Sequence, residues 1–314
     1  MKQRKVVIIG AGFVGSSLAY SLIQNSVAEE IVLIDLNQEK ARGEAMDLNH
    51  SLPFVRPVIV RVGDYRDCDD AAAVVITAGA AQKSGETRLD LAARNISVYR
   101  QIIPEVVAGG TRAVLIVATN PLDVMTYAAA RLSKLPDARV IGSGTVLDSS
   151  RLRILLSDHC RVDPGNVHAY ILGEHGDSEV PIWSATHIGG MSLDEYCNAC
   201  QNACGTKIRD EIFAQVRDAA HEIIKRKGAT YYAIGLALVK ILSCILRDEH
   251  SLLTVSSVLH GEYGFSGIAL SMPTILGRGG VERVVPFPLN ETEMEGLRKS
   301  AAIIRSVIEG TGLG

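Results

Sequence analysis

A histidine between two glycines stands out among the residues that could do chemistry. His175 lies in the segment GEHGDSE, and an imidazole that titrates near neutral pH suits proton exchange with a hydroxyl or carbonyl oxygen. Asp148, in GTVLDSSRLR, is a candidate to accept a hydrogen bond from one ring nitrogen and fix the tautomer. Arg151 follows on the same helical face and can bind a substrate carboxylate through two hydrogen bonds. An exposed helical ion pair between Asp148 and Arg151 is the alternative.

The segment VVIIGAGFVGSSLAY carries the glycine pattern of a dinucleotide-binding turn. Gly10 allows a tight turn after a strand, Gly12 lets backbone approach a pyrophosphate, and Gly15 lets helix and strand pack closely. Asp35 ends the next predicted strand, 20 residues after Gly15, where a carboxylate can accept hydrogen bonds from both ribose hydroxyls. The same carboxylate would repel a 2′-phosphate, so the motif predicts NAD rather than NADP. A tight turn with Asp35 as a helix cap is the alternative.

Strands and helices alternate through the first half of the chain. The predicted strands are Lys5–Ile9, Ile31–Asp35, Val58–Val62, Ala73–Thr77, Ala113–Asn120 and Arg139–Gly142. The predicted helices are Val14–Asn25, Glu86–Val107 and Leu122–Leu132. Near-continuous apolar strands separated by helices indicate a parallel sheet covered on both faces. The pattern predicts an α/β fold, with a Rossmann-type doubly wound domain over residues 1–145.

The second half has longer helices and predicts a mixed α+β domain over residues 146–314. Helical patterns cover Val146–His159, Lys207–Lys227, Tyr231–Leu246 and Thr292–Ile308. Strand-like runs cover Asn166–Leu172, Leu252–Leu259, Ile268–Ile275 and Val281–Phe287. The segment GRGG, Gly277–Gly280, predicts a hairpin turn between the last two runs. No linker separates the halves, so we expect them to pack closely around a cleft.

Composition and charge argue against several classes of partner. The 32 Lys and Arg against 35 Asp and Glu give a net charge of -3, which disfavours nucleic acid and anionic membranes. No apolar stretch is long enough for a transmembrane helix. Six cysteines are too few for a disulfide scaffold and predict a reducing cytoplasm. Cys197, Cys200 and Cys204 have the spacing of one helical stripe without a fourth ligand nearby, which predicts apolar packing rather than a metal site.

Seven segments occur in an order and spacing typical of one family. They are GAGFVG, LIDLN, AGAAQKSGETRLDL, VATNPLDVMT, GSGTVLDSSRLR, GEHGDSEVPIWS and KGATYYAIG. Through them the chain resembles the L-lactate dehydrogenase family, within the lactate/malate dehydrogenase superfamily, over essentially its whole length. The resemblance implies reversible reduction of pyruvate to L-lactate with NADH, and a homotetramer.

The resemblance also implies roles for individual residues. His175 would exchange the proton with pyruvate or lactate, Asp148 would orient it, and Arg151 would bind the substrate carboxylate. Arg88 would polarise the carbonyl from a mobile loop that closes over the substrate. Further substrate contacts would come from Gln82, Asn120 and Thr230.

The cofactor-binding set that the resemblance implies extends beyond the glycine motif. Its members are Gly10, Gly12, Val14, Gly15, Asp35, Lys40, Tyr65, Gly79, Ala80, Ala118, Asn120, Ser143 and Ile234. Ile234 would pack against the nicotinamide ring, which Asn120 would help to place. Lys40 is equally well explained as a solvated helix lysine. No metal ion is expected.

Gln82 in the predicted mobile loop indicates which substrate is used. Malate-specific relatives commonly have an arginine there to meet the second carboxylate of oxaloacetate, whereas Gln82 is neutral. Burying an unpaired carboxylate beside Gln82 would be costly, so this residue favours pyruvate. Malate dehydrogenase is the alternative function. A non-catalytic NAD-binding sensor or structural protein is a second alternative, against which the complete set of catalytic-type residues argues.

Arg153 and His168 predict a second site. Residues two apart on a helix point about 200° apart, so Arg153 faces away from the substrate if Arg151 faces it. Bacterial family members activated by fructose 1,6-bisphosphate have an arginine and a histidine at the matching positions, across a subunit interface. The resemblance therefore implies an activator site at Arg153 and His168. A surface arginine and an unrelated strand histidine are the alternative.

Overall fold

The first half of the chain folds as alternating strands and helices. The computed structural model describes residues 4–80, 85, 87–200 and 204–313. The first-half elements are β1 (Lys5–Ile9), α1 (Phe13–Asn25), β2 (Glu30–Ile34), α2 (Gln38–His50), β3 (Ile59–Val62), β4 (Ala73–Ile76), α3 (Arg88–Val107), β5 (Val114–Val117), α4 (Leu122–Ser133) and β6 (Val140–Gly142). The bounds of the strands and of α1, α3 and α4 lie within a few residues of those predicted, whereas α2 was not among the predicted helices, and the alternation is confirmed.

The second half has five helices among the described residues, joined by shorter strands and one long hairpin. Its elements are α5 (Val146–Cys160), β7 (Val167–His168), β8 (Ile171–Leu172), β9 (Val180–Pro181), β10 (His187–Ile188), β11 (Met191–Ser192), α6 (Leu193–Ala199), α7 (Thr206–Lys227), α8 (Tyr232–Arg247), β12 (Ser251–His260), β13 (Ser266–Gly277), β14 (Gly280–Val284) and α9 (Glu291–Gly310). The predicted run Asn166–Leu172 is two short strands rather than one. The run predicted to reach Phe287 stops at Val284, because Pro286 has no amide hydrogen to continue the ladder.

A nine-stranded sheet runs through both halves in the order β14-β13-β12-β6-β5-β4-β1-β2-β3. β1 to β6 pair in parallel, as a doubly wound fold requires. β12 pairs antiparallel with β6 at Ser256 and Gly142, and β13 and β14 follow antiparallel. These three strands were predicted within the second domain. They extend the sheet of the first half, and in this way they cover the edge of β6 that would otherwise expose unpaired backbone groups.

Apolar layers cover both faces of the sheet, which explains the near-continuous apolar strands. On β1, Val7 and Ile9 join a layer supplied by α3, α4 and α9. Val6 and Ile8 join the opposite layer, supplied by α1 and α8. The carboxyl ends of the parallel strands are thereby held rigidly, and these ends are where such sheets bind ligands.

The cysteine stripe predicted at residues 197–204 is wrong in its geometry. α6 ends at Ala199, so Cys200 lies beyond the helix and is exposed, and Cys204 follows a segment outside the described residues. Cys197 and Cys204 are buried and pack with Cys160 in an apolar cluster between α5, α6 and α7. Apolar packing therefore describes two of the three cysteines.

The predicted hairpin turn at GRGG is confirmed. Gly277 pairs with Gly280 across the turn, so Arg278 and Gly279 alone connect β13 to β14. None of the helices in the described part of the chain combines the length and apolar character needed to cross a membrane.

Candidate active site

His175 lies in the segment between β8 and β9 and contacts the first turn of α5. Its Nδ1 is 2.6 Å from Oδ2 of Asp148, and the other Asp148 oxygen accepts a hydrogen bond of 2.7 Å from Nη1 of Arg151. The Asp148 side chain is 2% exposed and that of Arg151 15% exposed, so the alternative of an exposed helical ion pair is wrong. The three side chains predicted to carry the chemistry are brought together by one helix turn and one loop.

The charges of this group favour a protonated histidine. Burial alone would lower the pKa of His175, but the charge and hydrogen bond of Asp148 outweigh it and raise the pKa to about 9. Burial works in the opposite sense on Asp148, where His175 and Arg151 lower the pKa below its usual range. Because Asp148 occupies Nδ1, the proton on Nε2 is the one that faces away from the pair and is available for transfer.

Asp123 is a residue of the site that the sequence reasoning missed. It is fully buried in the first turn of α4, and its Oδ2 accepts a 2.8 Å hydrogen bond from the backbone N–H of His175. Its other oxygen accepts from the hydroxyl of Ser256 on β12 at 2.6 Å. Burial raises the pKa of Asp123, against these hydrogen bonds. The sequence signal for Asp123 was a carboxylate inside the apolar stretch NPLDVMT, because acidic residues are rarely buried on a helix without a partner.

Arg88 is the first residue of α3, after Thr87, whose side chain caps the helix. Its guanidinium pairs with the buried carboxylate of Glu174, and its Nη2 is 3.1 Å from Oδ2 of Asp177. Both acids flank His175 in sequence. The predicted carbonyl-polarising cation therefore lies against the segment that carries the histidine, in contact with acids rather than free. Gln82 lies outside the described residues.

The glycine turn has the geometry that a pyrophosphate needs. Gly10 adopts φ +108°, and a Cβ on Gly15 would lie 1.9 Å from the Gly10 carbonyl oxygen. At Gly12 a Cβ would meet nothing within 4 Å, so this side of the turn is open. Gly12 caps α1 without a side-chain hydrogen bond, which leaves the first helical N–H groups to serve an anion.

Asp35 follows β2 and faces this turn. Its Oδ2 accepts from the backbone N–H of Ala11 at 2.7 Å, and its Oδ1 accepts from that of Asn37 at 2.8 Å. The cap of α2 is Asn37, which accepts from Lys40, so the alternative role of Asp35 as a helix cap is wrong. Each Asp35 oxygen keeps a lone pair for a ribose hydroxyl. The residues of this turn therefore fit a dinucleotide.

The segments after β4 and β5 are held together by a buried amide that was not predicted. Asn95, on the apolar face of α3, accepts from the N–H of Ala80 at 2.8 Å and donates to the carbonyl of Asn120 at 2.7 Å. Gly79 packs so closely on Thr119 that a Cβ would lie 2.3 Å from its methyl group. A polar residue on an otherwise apolar helical stripe was the available signal.

The remaining predicted residues lie at three places. Ala118 and Ser143 follow β5 and β6, and the Ser143 N–H donates to Val117 at 2.9 Å. Half-buried residues at the ends of other elements are Val14 on α1, Tyr65 after β3, Thr230 before α8, and Ile234 on α8. The side chains of Asn120 and Lys40 are exposed. Ala118, Asn120 and Ser143 lie at the carboxyl edge of the sheet, whereas Lys40 lies on the exposed side of α2.

Arg153 and His168 line one cavity of about 440 Å³, apart from the Asp148–Arg151 pair. The cavity lies between α5, α8 and β12, and Lys240 also lines it. Nη2 of Arg153 donates to the carbonyl of Pro164 at 3.1 Å, and His168 is exposed on β7. Both residues therefore border the same cavity, and their shared role as an activator site stays a prediction.

A further carboxylate, Glu179, lies beside the histidine. One ligand-type atom from each of Asp148, His175 and Glu179 lies within 4.8 Å of the others. A cation there would need His175 neutral and would compete with the positive charge of Arg151, so the arrangement suits proton transfer better than metal binding.

Comparison with known proteins places both halves of the chain in one family. Residues 4–142 match the lactate/malate dehydrogenase NAD binding domain, and residues 145–311 match the lactate/malate dehydrogenase alpha/beta C-terminal domain. The L-lactate dehydrogenase of Acetivibrio thermocellus is 51% identical over 306 residues, 98% of this chain and 96% of that one. The L-lactate dehydrogenase of Thermoanaerobacter sp. (strain X514) is 50% identical over 307 residues, 98% of this chain and 99% of that one.

A solved structure gives the same answer for the fold. The lactate dehydrogenase MGS-M5 from a Medee basin deep-sea metagenome library superposes with a TM-score of 0.96 at 43% identity, covering 99% of this chain and 100% of that chain. Sequence and fold agree over the whole length, and the chain belongs to the lactate/malate dehydrogenase family.

Proposed function

We propose that this protein is an NAD-dependent L-lactate dehydrogenase, which reduces pyruvate to L-lactate and catalyses the reverse oxidation. The observation that carries the proposal is the buried Asp148 carboxylate, shared between His175 at 2.6 Å and Arg151 at 2.7 Å. This one carboxylate sets a proton donor and a carboxylate-binding cation side by side, which is what a 2-oxo acid requires. Relatives at about half identity over the full chain bear the name L-lactate dehydrogenase.

Each residue has a part in the reduction. When bound, NADH would supply the hydride for the carbonyl carbon. His175 donates the Nε2 proton to the carbonyl oxygen, and Asp148 stabilises the imidazolium beforehand and holds its orientation. Arg151 binds the substrate carboxylate. Gly12 and the first turn of α1 would hold the cofactor pyrophosphate, and Asp35 would hold its ribose.

Arg88 has to change partners during the cycle. We propose that it leaves Glu174 and Asp177 to reach the carbonyl oxygen, where its charge stabilises the developing alkoxide. Its position at the N-terminus of α3, directly after the predicted lid loop, suits such a movement. Before this movement, Glu174 and Asp177 hold the Arg88 side chain.

Pyruvate rather than oxaloacetate is the proposed substrate because of the neutral Gln82. Malate dehydrogenase is the competing assignment. The experiment is a steady-state assay at 340 nm with pyruvate, oxaloacetate and 2-oxobutyrate, each with NADH and with NADPH. We expect the highest kcat/KM with pyruvate and NADH. A higher kcat/KM with oxaloacetate would assign malate dehydrogenase, and no oxidation of NADH with any of the three would refute an enzyme of this class.

We also propose that fructose 1,6-bisphosphate activates the protein. Arg153 and His168 line one cavity and could meet the phosphates of a doubly phosphorylated sugar, and Lys240, whose Nζ lies 2.7 Å from Oε2 of Glu249, lines the same cavity. The test is the KM for pyruvate with and without the sugar bisphosphate. A lower KM with the activator is expected, and an unchanged KM removes this part of the proposal.

The proposed assembly is a homotetramer in the cytoplasm. Phe13 on α1 and Tyr232 and Leu236 on α8 are more than half exposed, which leaves an apolar surface suited to a partner copy. Leu236 also lines the basic cavity, so a subunit contact there would adjoin the activator site. All six cysteines are free, in keeping with a reducing compartment. Light scattering gives the mass that decides the assembly.

A further inference from the structure

Glu179 is a buried acid of the site to which no step of the reaction has been assigned. It precedes β9, its residue is 6% exposed, and its Oε1 has no hydrogen-bond partner among the described residues. Its backbone N–H donates to the carbonyl of Gly176 at 3.1 Å, which closes a turn directly after His175. A buried carboxyl oxygen without a partner is costly if ionised, so its position requires an explanation.

Charged groups of three segments act on Glu179. They are Asp148 and Arg151 on α5, His175 in its own segment, and Arg217 on α7. Burial and the Asp148 charge raise the pKa of Glu179 to about 8, against the lowering effects of His175, Arg151 and Arg217. Glu174 and Asp177, the other acids of the segment, both contact Arg88, whose single positive charge offsets one of their two negative charges.

Resting on the proposed function, we propose that Glu179 is a second proton-holding residue of the site, and that it has to be uncharged for the substrate anion to bind. The formal charges give the reason. Asp148 at -1 and Arg151 at +1 cancel, and protonated His175 adds +1, so these three contacting groups sum to +1 while Glu179 is neutral. Ionised Glu179 brings this sum to zero and places a negative charge within 4.8 Å of ligand-type atoms of Asp148 and His175, beside the group that holds Arg151.

The sign of the pH effect follows from these charges. Glu179 is neutral below about pH 8 and ionised above it, so substrate affinity falls as the pH rises through this value. Ionised Glu179 stabilises the imidazolium of His175, because opposite charges attract. Loss of the Glu179 proton therefore raises KM for pyruvate and leaves kcat unchanged. A merely structural role would not separate the two constants in this way.

The variant that tests the proposal is Glu179→Gln, which keeps the shape of the neutral acid. At pH 6.5 we expect KM for pyruvate within about twofold of wild type. From pH 6.5 to pH 9, KM of the wild type should rise roughly tenfold more than KM of the variant, because pH 9 lies one unit above the pKa of Glu179 and only about a tenth of the wild-type sites keep the proton. Glu222→Gln, the same change at an exposed position of α7, should behave like the wild type.

Proton uptake by the wild-type protein tests the proposal without any variant. Calorimetric titration of the NADH-loaded protein with oxamate, an unreactive anion shaped like pyruvate, is repeated in buffers of different ionisation enthalpy. If Glu179 and His175 have pKa values of about 8 and about 9 and both must be protonated, oxamate binding at pH 8.5 should take up about one proton per site. If only His175 must be protonated, the uptake should be about a quarter of a proton per site.

The outcomes separate this inference from the proposed function. No turnover of pyruvate and no binding of oxamate at any pH would refute the function itself. Turnover with parallel pH profiles of KM in wild type and Glu179→Gln, or uptake of about a quarter of a proton, would refute the role of Glu179 alone. If Glu179→Gln does not fold, the proton count of the wild type decides.

Discussion

Replacing Asp148 by asparagine should release the proton that His175 holds. The carboxylate lies 2.6 Å from Nδ1 and raises the pKa of His175 from an ordinary 6.5 to about 9. That difference corresponds to about 3 kcal/mol of stabilisation of the imidazolium. Asparagine keeps the shape and one acceptor oxygen but removes the charge, so we expect the pKa of His175 to return to 6.5 or below in Asp148→Asn.

The assay is the rate of carbethoxylation of His175, read by mass spectrometry of its peptide, because diethylpyrocarbonate reacts only with the neutral ring. At pH 7.5 the neutral fraction should rise from about 3% in the wild type to about 90% in Asp148→Asn, a roughly 30-fold faster reaction. The kcat/KM for pyruvate at this pH should fall about tenfold or more, because the protonated fraction of His175 drops from about 97% to about 9%. His221, exposed on α7, gives an internal reference for reagent concentration.

If the pH midpoint of the carbethoxylation rate of His175 stays near pH 9 in Asp148→Asn, the reasoning is refuted. It would mean that other groups, Asp123 and Glu179 among them, hold the proton without Asp148. The exposed substitution Asp47→Asn on α2 should leave the midpoint where it is in the wild type.

Three further predictions follow from the other parts of the site. Gln82→Arg should raise kcat/KM for oxaloacetate and lower it for pyruvate, because it supplies the charge that the second carboxylate needs; an unchanged ratio contradicts this. Arg153→Ala should abolish any response of KM to fructose 1,6-bisphosphate while leaving activity without it intact; a retained response moves the activator elsewhere. Gly15→Ala should lower the melting temperature, because its Cβ would lie 1.9 Å from the Gly10 carbonyl oxygen. Gly12→Ala should leave the melting temperature unchanged and weaken NADH binding, because its Cβ would meet nothing within 4 Å. If the two variants behave alike in thermal melts and in fluorescence titrations with NADH, the assignment of the turn is contradicted.

Local patterns predicted the nucleotide half well because its elements follow one another in space. The run Lys5–Ile9 is the observed β1, and the glycine turn follows it directly. Such features depend on neighbouring residues only, so periodicity and composition are sufficient. The placement of β12 beside β6 joins residues more than a hundred positions apart, which no local pattern encodes. The cysteine stripe was wrong for a related reason, since nothing in YCNACQNAC indicated that α6 ends at Ala199.

The site shows the same division. His175, Asp148 and Arg151 were recognisable because a charged or titratable residue in a glycine-rich segment or a helix start is unusual. Asn95, Asp123 and Glu179 escaped notice because the partners of the first two, and the unpartnered burial of the third, depend on which groups the fold brings to them. Buried polar residues on otherwise apolar helices deserve the same scrutiny as histidines.

A competition between two substrates tests the central claim most directly. The protein is supplied with NADH and equal concentrations of pyruvate and oxaloacetate at pH 7, and the products are separated by chiral chromatography while the absorbance at 340 nm is followed. The account predicts L-lactate as the main product, one per NADH consumed, and none with His175→Gln. Malate as the main product, D-lactate, or no consumption of NADH would contradict it.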